Sequence, residues 1–415
     1  MKKTIFLLFI FFNLTSCLKK STIEEYPIID IIGSVGKYQR IYCSDYFSSI
    51  ELIPLETTED CLLDRREDII FNASVILMRG NRNNNLYAFD RTGMFKNEIG
   101  KKGQGPEEYI SVGPVFFNYD RPAIYVGDMT KIMEYEYNGG FIRSINIPRP
   151  EDKALTRISY VGDNIFVGNA YYDGKNRFKY CLFNQKGDTV KTFPNHIFFD
   201  RAGSIISTHD ASLNPVRVDN RLYLKDYIND TLYILTDKDK QPSLVFEFKK
   251  HTFSKERLEN SNPQATIISD DFRILGLVGL PEHIFYEVRV PESFPLPESK
   301  PEYVLITNKY EPATTGVYGI YNIVEKTNIL LDTDQYSQKG IINDLNGGLP
   351  FIPRYYAGNG IVADVWHSEE MKEMLTDEYF ASQIIKDQKA HKKLKEILNN
   401  LKEDDNPVVI VAKLK

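Results

Sequence analysis

The chain has 415 residues, 42% of them hydrophobic and 26% charged, and 51 Lys and Arg against 57 Asp and Glu give a net charge of −6. That composition excludes a disordered chain and a multi-span membrane protein, and its acidic balance advertises no basic surface for nucleic acid. The 26 tyrosines and 25 phenylalanines bias the chain towards pleated, half-buried β surfaces.

At the N-terminus Lys2 and Lys3 precede the apolar run Ile5–Phe12 and then Leu14-Thr15-Ser16-Cys17. The run is too short to span a bilayer, so residues 1–16 read as a secretory signal peptide. Leu14–Cys17 looks like a bacterial lipobox, which implies acylation of Cys17 and cleavage before it; an ordinary signal cut nearby is the plainer alternative. Acyl chains at about 0.8 kcal/mol per buried methylene would anchor the protein stably. Losing Lys2 and Lys3 and no acid leaves −8, which suits a soluble body held near a membrane. Residues 17–44 read as a lipidated tether and N-terminal segment, the tether proper running to about Tyr26. Leu18-Lys19-Lys20-Ser21 is not an acidic cluster, so an outer-membrane lipoprotein facing the periplasm is expected. Cys43, Cys61 and Cys181 remain, an odd number for an oxidising compartment. Cys43 and Cys61 could bridge or stay free, and Cys181 beside Leu182 and Phe183 reads as reduced and buried.

The middle of the chain repeats itself. Leu86–Phe95, Ile132–Phe141 and Tyr180–Thr189 each run from an apolar strand through a polar glycine turn into a second strand. Weaker copies begin at Leu232 and Val317. The first four starts are spaced 46, 48 and 52 residues, the spacing of four-stranded propeller blades. Two further strands precede each hairpin, as in Val115–Tyr119 with Ala123–Val126 and Val216-Arg217-Val218 with Arg221–Leu224. The 85 residues from Leu232 to Val317 imply an insertion, placed at about 253–277 with a helical turn over Ser254–Leu258. A sixth, degenerate unit runs from Ile341 to Trp366.

Beyond it Met371, Leu375, Tyr379, Leu394, Ile397, Leu398 and Leu401 recur at helical spacing, so helices are expected over about 368–403. Val408–Ala412 follows Pro407 as a last strand. Ile50–Leu55 is a strand the first unit does not need. Both terminal strands joining the sixth blade would close the ring and leave no exposed edge. The fold class is therefore all-β, a six-bladed β-propeller over residues 45–415 with a short C-terminal helical segment.

Asp128–Ile132 after Ile124-Tyr125-Val126, and Lys102–Tyr109, resemble the NHL repeat. Taken with Ile53–Thr58, Asn229–Tyr233 and Gly347–Phe351, the chain from about residue 45 resembles the six-bladed β-propeller lipoproteins of the Bacteroides type, described as NHL-like or TolB-like. The resemblance implies a fold and a place in the cell envelope, and no activity.

Local catalytic motifs fail on inspection. Gly103-Gln104-Gly105-Pro106-Glu107-Glu108 has Glu108 where a dinucleotide fingerprint needs glycine, and it reads as a turn. The six histidines lie at least 13 residues apart, so no local zinc motif forms. No metal and no cofactor is expected. Arg79, Asp128, Arg157 and Arg354 fall near ends of strands that could face the central channel, and they are the candidate ligand-binding residues. The function expected is a membrane-anchored binding or scaffold module for a peptide, glycan or protein partner, with no nucleic acid. The alternative is a periplasmic lyase or hydrolase whose site assembles across blades at the channel mouth.

Overall fold

The computed structural model describes residues 26–63, 67–80, 85–170, 174–199, 215–218, 221–225, 229–236, 239–252, 271–299, 302–304, 309–311 and 316–415. The signal peptide, Cys17, the tether up to residue 25 and the helical turn expected over Ser254–Leu258 lie outside the described residues.

Six antiparallel sheets of the propeller kind follow one another around the ring. Blades one to three are built from Glu67–Phe71 to Phe95–Glu98, Val115–Asn118 to Phe141–Asn146, and Leu155–Gly162 to Thr189–Pro194. Blade four runs from Val216–Val218 to Lys240–Glu247. Blade five comprises Arg273–Gly279, His283–Arg289, Gly316–Asn322 and Thr327–Leu330. Blade six takes Tyr355–Gly358, Ile361–Trp366 and Val408–Leu414 from the C-terminal end and Phe47–Pro54 from the N-terminal end. Its register pairs Ile50 with Ala412 and Leu52 with Ile410, so the ring closes by main-chain pairing as the sequence requires.

Six apolar clusters fill the six gaps between neighbouring blades. Every middle strand is therefore covered on both faces, which is why Leu86–Phe89 and Ala123–Gly127 are buried at each position and read as continuous apolar runs. In blade two Ile124 and Val126 pack towards blade one, while Tyr125 packs towards blade three. The outer strand of blade six is divided in the same way. Ile53 packs on blade one, Ile50 packs towards blade five, and Leu52 lies under the helices Ser368–Met374, Asp377–Ala381 and Gln388–Asn400. Among the described residues no helix is long and apolar enough to cross a membrane.

Two sequence expectations need correction. The extra length near blade five is split between a segment before Arg273 and a second one, carrying the small hairpin Glu302–Val304 with Lys309–Glu311, inside the blade. An insertion ending at 277 would swallow most of the inner strand Arg273–Gly279. That strand was hidden by its glycines. Gly279 is required because a Cβ there would meet Val218 Cγ2 of blade four at 2.5 Å. Secondly, the segment before residue 45 is more than a tether. Ile28–Asp30 pairs parallel with Val245–Glu247, Gln39 bridges Leu331 and Tyr42 bridges Ile342, so the N-terminal segment straps the outer edges of blades four and five and the connection into blade six.

Cys43, Cys61 and Cys181 are all buried and free, each of the first two in a different inter-blade cluster. Burial pushes the Cys181 thiol up to about 11, so it stays protonated and packs as a small apolar group.

Candidate functional site

The first strand of each blade lines the central channel, where a cavity of about 680 Å³ lies. Arg79, Arg157 and Arg354 all line it, and they are joined by Arg217 of blade four. Register orders them along the channel. Arg79 sits on the second strand of blade one, opposite Asp68 near the start of the inner strand. Its Nη1 donates to the carbonyls of Val112 and Gly113, which lead into blade two, at 3.3 Å each. Arg354 immediately precedes the inner strand of blade six, so both arginines lie at the face where inner strands begin. Arg217 is one residue from the end of its inner strand, and Tyr119 follows the end of the inner strand of blade two. Those two meet, the Arg217 guanidinium carbon standing 4.3 Å from the Tyr119 ring centroid.

Arg157 lies between the two ends. A register irregularity between Thr156 and Ser159 interrupts its strand, and Arg157 has φ +49°. A non-glycine residue in that region costs of order 1–3 kcal/mol and is held there by its surroundings. A bulge of this kind re-aims a side chain, here into the channel.

The charges are tuned by their neighbours. Burial lowers the Arg217 pKa, and Tyr119, Asp120 and Tyr160 only partly offset this. Its Nη2 donates to the carbonyls of Tyr160 and Val161 at 2.5 and 2.6 Å, tying blade four to blade three. For Arg354 burial again opposes the charge, but Asp364 outweighs it, with Nε 3.0 Å from Oδ1, and raises the pKa. Asp364 also accepts from the Val365 and Ile352 amides. Even so, the Arg354 side chain remains 48% exposed within the cavity. The described lining contains no carboxylate; Tyr119, Tyr355, Tyr356 and Ser159 are its other side-chain polar groups.

A second cavity of about 230 Å³ opens off the channel between blades five and six. Leu277, Val278, Phe285, Leu331, Ile341 and Phe351 give it apolar walls, and Arg354 and Tyr355 belong to both cavities.

Asp128 is not part of this site. Its carboxylate accepts from the amides of Ile110 at 2.9 Å and Met129 at 2.6 Å, and it fixes the loop into blade two instead of facing the channel. Sequence reading paired it with the arginines because it too ends a strand. Arg217 was missed, although the polar centre of Val216-Arg217-Val218 in an otherwise apolar inner strand was a usable signal. Among the described residues no group of three or more His, Cys, Asp or Glu is placed to share a metal ion.

Residues 26–413 match the family model described as a domain of unknown function, DUF4934. A solved structure from Bacteroides fragilis NCTC 9343, provisionally described as an exported protein, is 18% identical with a TM-score of 0.64, over 91% of this chain and 98% of that one. A member of the DUF4221 family from Bacteroides vulgatus is 11% identical with a TM-score of 0.50, over 89% of this chain and 97% of that one. Both likenesses concern the fold. No protein of curated function matches the sequence.

Proposed function

The chain belongs to the DUF4934 family, and from its channel we propose that it is an envelope binding module whose ligand is taken inside the ring. One observation carries this reading: arginines from four different blades converge on a single cavity of about 680 Å³. The volume lies within the range of small-ligand sites, which are concave, largely preformed and given specificity by a few placed polar groups. A peptide end or a glycan carrying acidic groups fits both the size and the charge. Catalysis finds less support, because the described lining offers tyrosines and a serine but no carboxylate or histidine beside them.

The test is to purify the protein gently from its own envelope and identify small molecules released on denaturation. Arg157→Asn is the control, since asparagine tolerates the left-handed backbone and removes the charge. A compound retained by the natural protein and lost from the variant is expected. Equal recovery from both would remove the channel from the function.

The envelope address rests on the Lys2–Cys17 signal and is supported by the export assigned to the B. fragilis neighbour. Anchoring through acylated Cys17 on the periplasmic side of the outer membrane completes the reading. Cys17→Ser is expected to release the protein into the soluble fraction, because acyl burial supplies the attachment. A variant that still pellets with membranes through a carbonate wash contradicts it.

A further inference from the structure

We propose that the ligand is an organic anion bearing a compact apolar group, with its anionic end against Arg354 in the channel and its apolar end in the side cavity between blades five and six. This rests on the channel being the ligand site, and it names the ligand's chemistry.

The two cavities differ in character and share a wall formed by Gly276, Leu277, Val278, Arg354 and Tyr355. On the channel side stand the arginines, with no carboxylate in the described lining. On the other side the walls are apolar, and Glu287 is the charged residue that joins Arg354 in lining them. The Glu287 charge is felt at Arg354 as well, but only the channel side adds Arg79, Arg157 and Arg217, so an anionic group is disfavoured in the side cavity and the polarity of a bound molecule is set.

Arg354 is suited to hold the anion. Its Nε is committed to Asp364 at 3.0 Å, which fixes the plane of the guanidinium. The side chain is still 48% exposed, and it lines both cavities. A planar fork anchored at one nitrogen can present its remaining N–H groups to a carboxylate or phosphate, a geometry lysine cannot supply.

The side cavity is large enough for the apolar end. A dry cavity of about 150 Å³ accepts benzene, and this one is about 230 Å³. Its opening depends on Gly276, which lines both spaces. A Cβ at 276 would meet Glu287 Cβ at 3.7 Å, an ordinary contact at a backbone that needs no glycine. A side chain there is tolerated by the strand and narrows the passage.

The experiment uses the full mature protein and calorimetric titration with ω-phenylalkanoates from phenylacetate to 5-phenylpentanoate. Their neutral amides and inorganic phosphate serve as comparison probes. At least one acid is expected to bind one to one, at least tenfold more tightly than its amide. Gly276→Val should weaken that acid tenfold or more and leave phosphate binding unchanged. Arg354→Lys, which keeps a cation beside Asp364, should also weaken the acid about tenfold. An amide that binds as well as its acid overturns the inference, as does a Gly276→Val protein with unchanged affinity. If no acid binds while the envelope-derived compound still depends on Arg157, this inference fails and the binding reading stands. If that compound is indifferent to Arg157, both fall.

Discussion

A chain ending at Asp405 is expected to lose its cooperative melting transition altogether, not to fray at one end. The missing strand, Val408–Leu414, lies in the middle of blade six, paired on one side with Ile361–Trp366 and on the other with Phe47–Pro54. Val408, Val409, Ile410 and Val411 are all buried. At about 1.5–3 kcal/mol each their burial amounts to roughly 6–12 kcal/mol as an upper estimate. A typical domain has a total stability of only about 5–15 kcal/mol. The N-terminal strand would also lose its partner and expose an edge. A truncated protein that keeps the full-length melting temperature contradicts the closure mechanism.

A milder probe of the same seam is Asn406→Ala. Asn406 is buried, accepts from the Leu63 amide at 2.8 Å, and donates to the carbonyls of Glu56 and Cys61 at 2.6 and 2.9 Å. Leaving those groups unpaired is expected to cost about 2–3 kcal/mol in urea denaturation.

The second large effect is expected at Glu134, which is wholly buried in blade two. Arg121 and Arg143 each lie 2.7 Å from its carboxylate, and the Asn118 side-chain amide donates to it at 3.1 Å. Removing one member of a buried ion network costs roughly 3–5 kcal/mol. Both arginines keep some access to water, with side chains 45% and 34% exposed, so Glu134→Ala belongs near the lower end of that range. Glu134→Gln keeps the shape and an oxygen for Asn118 and should cost less. Equal urea midpoints for the natural protein and Glu134→Ala would show that the network contributes nothing to stability.

Much of the fold was legible because a propeller writes the same short pattern repeatedly. The hairpins at Leu86, Ile132 and Tyr180 carry unbroken apolar strands and glycine turns, and the unneeded strand Ile50–Leu55 announced the closure. Blade five was blurred because Gly276 and Gly279 dilute its inner strand, and because an insertion inside a blade breaks the period. The strap from Ile28 to Tyr42 was illegible for a different reason. It adds to edges already complete, so the blade count does not call for it. The site was half legible. Three of the arginines expected near strand ends do line the cavity, but Asp128 fits the same criterion and is consumed by two backbone amides. Arg217 carried a weaker signal, a single polar residue between two valines, and the folded ring brings it to the same cavity as Arg79, Arg157 and Arg354.

If the channel binds a ligand in the cell, it is occupied in the envelope. Arginine modification by phenylglyoxal, mapped by mass spectrometry, tests it directly in intact envelopes and in purified protein stripped of small molecules. Exposed Arg149 and Arg221 serve as internal references. Arg157, Arg217 and Arg354 are expected to react several-fold more slowly in the envelope while the references do not change. Identical rates for the channel arginines in the two preparations would contradict it.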